Sequence, residues 1–141
     1  MTIKYNVESK KGKLVISEKT VNYKIDLRER LVDFAVNTIK FLGTIHYRKE
    51  YDVIRYQLSK AATSIGANYE ESQASTPKEF HAKVAISLRE SLETCFWYKV
   101  INKLNLGKED IRRYLIQESK EISLILGSIA SKLNNNRIVS L

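Results

Sequence analysis

Leu58-Ser59-Lys60-Ala61-Ala62-Thr63-Ser64-Ile65-Gly66-Ala67-Asn68-Tyr69-Glu70-Glu71-Ser72 sits inside a stripe in which Tyr51, Ile54, Leu58, Ala61, Ile65, Asn68 and Ser72 recur at steps of three and four. That spacing returns side chains to one face of a helix. A helix built only for packing has no use for Gly66, because an interior glycine costs about 1 kcal/mol against alanine. Together with Ala61, Ala62, Ser64 and Ala67, Gly66 would let a neighbouring helix come close. Asn68 lies on the apolar stripe, where a buried amide must find hydrogen-bond partners. A glutamate or backbone group of a neighbouring helix would supply them. Polar residues in such places are best known for fixing register and oligomeric state. The other reading leaves Asn68 exposed and Glu70 and Glu71 solvated.

The same periodicity runs on both sides. Leu27, Leu31, Phe34, Thr38, Phe41 and Ile45 form an earlier stripe, broken around His46-Tyr47-Arg48-Lys49. Thr76-Pro77-Lys78-Glu79 is a capping box with proline at the first helical position, which starts a third helix predicted to run to about Leu104. Asn105-Leu106-Gly107 makes the next turn, with Gly107 available for a left-handed helix end. A fourth stripe carries Ile111, Leu115, Glu118, Ile122, Ile125 and Ile129, and Asn134-Asn135-Asn136 is expected to end it. Four helices of roughly 22–28 residues joined by short turns give an all-α, antiparallel up-down-up-down four-helix bundle. Residues 27–133 form that bundle, residues 134–141 a C-terminal tail. Residues 1–26 form a basic N-terminal arm, extended or folded as a short hairpin, because Lys13-Leu14-Val15-Ile16 and Val21-Asn22-Tyr23-Lys24-Ile25 alternate only in part.

The third helix carries two apolar stripes. Phe80, Val84, Leu88, Ser91, Cys95 and Tyr98 form one; Ala82, Ile86, Glu93, Trp97, Val100 and Leu104 form the other. A wide core face in a monomer accommodates both. The reading preferred here is that the second stripe, with Trp97 exposed, is a surface for self-association.

One proline and five glycines among 141 residues fit long helices, and a single cysteine, Cys95, fits a reducing cytoplasm. The first residues lack the apolar core of a signal peptide, and no apolar run reaches the ~18 residues of a membrane span. A cytoplasmic location without membrane contact is expected. The formal net charge is +8, and residues 1–25 hold six lysines against two glutamates. This attracts polyanions. Candidate nucleic-acid contacts are Lys10, Lys11 and Lys13 in the arm, Arg48 and Lys49 beside Tyr47 and Tyr51, and Lys108 with Arg112 and Arg113. Interleaved aromatic and basic residues can stack on bases while neutralising phosphates.

Glu70, Glu71, Glu90 and Glu93 invite comparison with di-iron bundles, which use Glu-x-x-His pairs. Here Glu90 is followed three residues on by Glu93, and Glu70 by Gln73. His46 and His81 are not spaced as ligands, and one cysteine does not make a zinc site. Ser64 lacks a nucleophile elbow and Cys95 a histidine partner in sequence. No catalytic residue, metal or cofactor is therefore expected, and the protein is read as a non-enzyme. Ser64, Gly66, Asn68, Glu70, Glu71, Glu90, Glu93 and Trp97 are read instead as fittings between helices or subunits.

The segment Leu58 to Glu71, with its Ser64-Ile65-Gly66-Ala67-Asn68 core, resembles the signature of bacterial bundle proteins encoded in intervening sequences of 23S ribosomal RNA genes, the so-called S23 ribosomal protein family. Phe80-His81-Ala82-Lys83-Val84-Ala85-Ile86-Ser87-Leu88-Arg89-Glu90-Ser91-Leu92-Glu93-Thr94 matches its second signature, followed by an aromatic at Trp97. The likeness covers about residues 27–133. It implies a homo-oligomeric bundle, typically a pentamer, without established enzyme activity. Ser91-Leu92 departs from the Ala-Arg common in that group and removes a cation near the glutamates. A similar group is the accessory variability protein of diversity-generating retroelements, a basic pentameric bundle. The expected function is a self-associating module that binds RNA or acts as a scaffold; the alternative is an adaptor for a protein partner such as a retroelement reverse transcriptase.

Overall fold

The computed structural model describes residues 2–10, 13–21 and 27–139, with side chains over 27–135. Helices α1 (Leu27–Leu42), α2 (Asp52–Ser72), α3 (Pro77–Leu104) and α4 (Glu109–Val139) follow an N-terminal pair of strands, β1 (Thr2–Lys10) and β2 (Lys13–Val21). The strands pair antiparallel in register from Thr2↔Val21 to Lys10↔Lys13. Of the two forms expected for the arm, the backbone takes the hairpin.

Each helix packs on the next in sequence, and α4 returns to α1 through the thinnest of the four contacts. The short links 73–76 and 105–108, and the longer 43–51 with its 3₁₀ turn at Lys49–Tyr51, reverse the chain each time. The start of α3 is set as its sequence predicts. The Thr76 hydroxyl accepts from the Glu79 amide, while the Glu79 carboxylate accepts from the Thr76 amide at 2.9 Å. At its other end Asn105 takes the left-handed conformation (φ 55°) that closes the helix, and Gly107 follows at φ 74°. A side chain at Gly107 would meet the Phe41 ring edge at 2.5 Å, so the turn needs glycine for space as well as for backbone freedom.

Helix lengths depart from expectation at both extremes. α1 has 16 residues and α4 has 31. Asn134-Asn135-Asn136 does not end α4, which continues to Val139, so the expected tail begins as helix. Asparagine is a weak helix former but leaves the backbone hydrogen bond intact, unlike proline.

The α1 stripe is buried as read: Leu27, Leu31, Phe34, Thr38, Phe41 and Ile45 all face the core, with Leu58 and Ile65 from α2 and Leu115, Ile122 and Leu126 from α4. Tyr98 of α3 is completely buried. Its ring lies 6.2 Å from Phe34 and 6.1 Å from Phe41, and its hydroxyl meets Thr38 Oγ1 at 2.7 Å. Burial pushes the Tyr98 phenol pKa far upward, partly opposed by that hydrogen bond, so the group stays neutral.

The interior of α3 runs along a different line from the one expected. Its buried residues are Val84, Ser87, Ser91, Thr94, Tyr98 and Ile101, while Phe80, Leu88 and Cys95 flank this line half-buried. Small hydroxyl residues fill the closest approaches. Ser87 Oγ donates to Ile65 O of α2 at 2.7 Å, Ser91 to Leu88 O and Thr94 to Glu90 O. A serine or threonine whose hydroxyl returns to a backbone carbonyl is satisfied without water. Counting apolar residues therefore misplaces the stripe.

Candidate interaction surfaces

The motif of α2 serves packing between helices of one chain. A Cβ on Gly66 would lie 3.3 Å from Leu31 Cβ, so the glycine lets α1 and α2 close on each other. Glu70 accepts from Arg28 Nε of α1 at 2.8 Å, and a second, shorter contact to Nη2 completes the pair. The Arg28 hydrogen bonds hold the Glu70 carboxyl below its ordinary pKa, against a smaller opposing effect of burial. Glu71 forms an ion pair with Lys83 of α3. Two adjacent glutamates thus tie α2 to both of its neighbours.

The Asn68 and Ser64 side chains bond within their own helix. Asn68 Nδ2 donates to Ser64 O at 2.8 Å and Ser64 Oγ to Lys60 O at 2.6 Å, all within α2. An amide that can reach the carbonyl four residues back requires no neighbouring helix. Asn68 is half-buried, and among the described residues its side chain makes no hydrogen bond to another helix.

On α3, Glu93 accepts from Trp97 Nε1 at 3.3 Å. Trp97 is not the exposed residue of its face. It is half-buried against the core, and Phe96 packs edge-on to it at 5.1 Å. The exposed large apolar side chains of α3 are Leu92 (55%), Phe96 (54%) and, at its end, Leu104; of these only Leu104 belongs to the second stripe read from the sequence. Glu90 is half-buried, and its carboxyl takes no hydrogen bond among the described residues. Burial, then the nearby Glu93, raises its pKa, opposed by Lys60 and Arg89. A further exposed line on α1, Val32 (58%), Val36 and Ile39, lies opposite that helix's buried stripe.

The basic candidates separate into three fates. The side chains of Lys10 and Lys13, and Lys11 altogether, lie outside the described residues. Arg112 is not available as a nucleic-acid contact: it is 4% exposed, donating from Nη1 to Leu106 O at 2.8 Å and from Nη2 to Asn105 Oδ1 at 2.6 Å. It closes the α3–α4 turn, and the turn's carbonyls explain why a guanidinium is buried there. Arg48, Lys49, Lys108 and Arg113 are exposed. Arg113 pairs with Glu109, and Arg48 lies 4.0 Å from Glu50.

The structure joins the turn that carries Lys108 to the loop that carries Arg48 and Lys49. The Lys108 amide donates to Thr44 Oγ1 at 3.2 Å, joining the α3–α4 turn to the α1–α2 loop. Arg55 does for that loop what Arg112 does for the other turn. Its Nη2 donates to Ile45 O and His46 O, and its guanidinium carbon lies 6.0 Å from the centre of the Tyr47 ring. Each arginine stands three residues after the acidic residue that opens its helix, Asp52 and Glu109. Between α1 and α4 at this end, Asn37, Lys40, Phe41, Thr44, Asp110, Ile111 and Tyr114 line an open cleft of about 510 Å³.

Among the described residues no three His, Cys, Asp or Glu side chains gather as a metal site, and no helix is long and apolar enough to cross a membrane.

No curated protein matches the chain. The crystal structure of a protein with unknown function from the S23 ribosomal protein family of Bacteroides thetaiotaomicron VPI-5482 has the same fold. It is 28% identical, with a TM-score of 0.63 over 73% of this chain and 96% of that one. A family model for the 23S rRNA-intervening sequence protein matches residues 24–128, which includes α1, α2, α3 and the greater part of α4 but not the strands. On that match, the chain belongs to the 23S rRNA-intervening sequence protein family.

Proposed function

We propose that the protein is a self-associating, non-catalytic helical bundle of the cytoplasm that binds RNA, with a ring of five as the assembly its family resemblance implies. The observation that carries this reading is the outward apolar surface on two helices. Val32, Val36 and Ile39 recur at steps of four and three on α1, and Leu92 and Phe96 at a step of four on α3. Contiguous apolar faces of this kind are covered in most soluble proteins. A second copy is the occupant favoured here, because each α1 face could meet an α3 face of the next subunit and so build a ring. The positive net charge supports a polyanionic partner. A non-catalytic role is supported by the engagement of Glu70 with Arg28, Glu71 with Lys83 and Glu93 with Trp97, which are packing contacts.

Light scattering on the purified chain at micromolar concentration tests the assembly, and the Ile39→Asp and Phe96→Asp variants test its surfaces. A defined oligomer that both variants dissociate is expected; a monomeric wild type overturns the proposal. Binding of labelled RNA should weaken steeply as salt rises. Failure to bind any RNA at low ionic strength removes that half of the reading.

A further inference from the structure

We infer that the cleft between α1 and α4 takes an unpaired base of a single-stranded RNA, whose flanking phosphates lie on the cations of the two joined loops. This deepens the RNA-binding reading above and rests on it. Three observations converge at one end of the bundle.

The first is shape. The cleft of about 510 Å³ is floored by Phe41 and Ile111 and walled by the exposed ring of Tyr114. This is the size and apolar character of a small-molecule site, and an aromatic wall suits a planar ring. The second is charge. Lys40 lines the cleft, and the backbone amide of Lys108 is itself tied to Thr44, another lining residue. Arg48 and Lys49 extend the same loop four and five residues beyond Thr44, all of them exposed.

The third observation distinguishes a base from a phosphate inside the cleft. Asp110 is one of its walls. Its Oδ1 accepts from the Ile111 amide at 2.8 Å, and Oδ2 makes no hydrogen bond among the described residues. A carboxylate repels a phosphate but accepts from the exocyclic amine of a base, and the Asn37 amide can both donate and accept. Cations at the rim and a carboxylate within therefore sort the two parts of a nucleotide. A base held in a duplex cannot turn into such a slot, so single strands are favoured. Tyr47 offers a second stacking surface on the same loop, 79% exposed and with Arg55 near its ring.

Fluorescence anisotropy tests this with a labelled unstructured 12-nucleotide RNA, alone and annealed to its complement. The wild-type chain should bind the single strand about tenfold or more tighter than the duplex. Tyr114→Ala should weaken that binding about tenfold, the order expected for loss of one stacked base, while Tyr114→Phe keeps it. Lys108→Ala should weaken it and flatten its salt dependence; Lys78→Ala, at the far end of the bundle, should do neither. Thermal melts establish that the exposed Tyr114 and Lys108 variants remain folded. If the wild type binds RNA and Tyr114→Ala binds equally well, the site is elsewhere and only the RNA reading survives. Equal affinity for duplex and single strand overturns the base-in-cleft geometry. No binding by the wild type sinks both readings.

Discussion

Where α2 gives way to α3, the chain is held by charges that face water: Glu70 with Arg28, Glu71 with Lys83, and the Glu79 carboxylate on the Thr76 cap. Where α1 gives way to α2 and α3 to α4, ion pairs such as Arg55 with Asp52 and Arg113 with Glu109 are present too, but the bends themselves are closed by guanidiniums on neutral carbonyls, Arg55 on Ile45 and His46 and Arg112 on Leu106. Exposed ion pairs contribute little, are screened by salt and titrate in acid. A buried guanidinium stays charged throughout the accessible pH range, and its removal leaves unpaired acceptors. The acidic end of the family motif thus lies where cohesion varies with solution conditions, while the bends at the proposed RNA end are fastened by arginine hydrogen bonds. Preorganisation of this kind lowers the ordering cost of binding.

Four experiments press on that contrast. Arg112→Met should have the largest effect, costing about 3 kcal/mol in urea unfolding because two acceptors in the α3–α4 turn lose a charged donor. Gly107→Ala should cost about 2 kcal/mol or more, since φ 74° is unfavourable for alanine and its methyl would strike Phe41. Thr76→Ala at the opposite end removes the cap and should cost about 1 kcal/mol. Glu71→Gln should cost below about 0.5 kcal/mol at low salt and nothing in high salt. A Glu71 effect as large as that of Arg112 would break the contrast.

The dependence on pH sharpens it further. The Arg28 hydrogen bonds hold Glu70 below its ordinary pKa, and the Thr76 amide and hydroxyl do the same for Glu79. A depressed folded-state pKa gives a contribution that is complete above the unfolded value, about 4.3, and is lost as pH falls through the lower folded value. Glu90 has the opposite sign. Its carboxyl is raised by burial and by Glu93, so its charge costs stability at neutral pH, and protonation on acidification relieves that cost. Amide exchange between about pH 5 and about pH 3 should show residues 72–80 losing protection while residues 105–112 keep theirs. Loss at both ends together would erase the distinction.

The helices and the α1 core face were legible in the sequence because large apolar side chains recur there without interruption. The capping box at Thr76 was equally legible, since it depends on four consecutive residues. The interior of α3 was legible only in part: Ser91 lies on the expected stripe, but Ser87 and Thr94 look like surface residues until the carbonyls that satisfy them are seen. Glu70 and Glu71 pair with Arg28 of α1 and Lys83 of α3, whereas the Asn68 amide turns back on its own helix. Arg112 could be read as a cation and not as a buried one, because the acceptors that bury it lie in a turn whose conformation the sequence does not state. The cleft joins residues from Asn37 to Tyr114, and no local pattern brings these together.

Arg55 and Arg112 also bear on the order in which the bundle is built. Each reaches carbonyls only six to ten positions away along the chain. Contacts so close in sequence incur little loop-closure entropy and can form before distant segments meet. The chain is in this sense two helical hairpins, α1–α2 and α3–α4, each able to fasten its own bend during synthesis. What remains for the slower, later step is the contact most distant along the chain, α1 against α3 and α4, with Tyr98 on Thr38 as a seam that closes last.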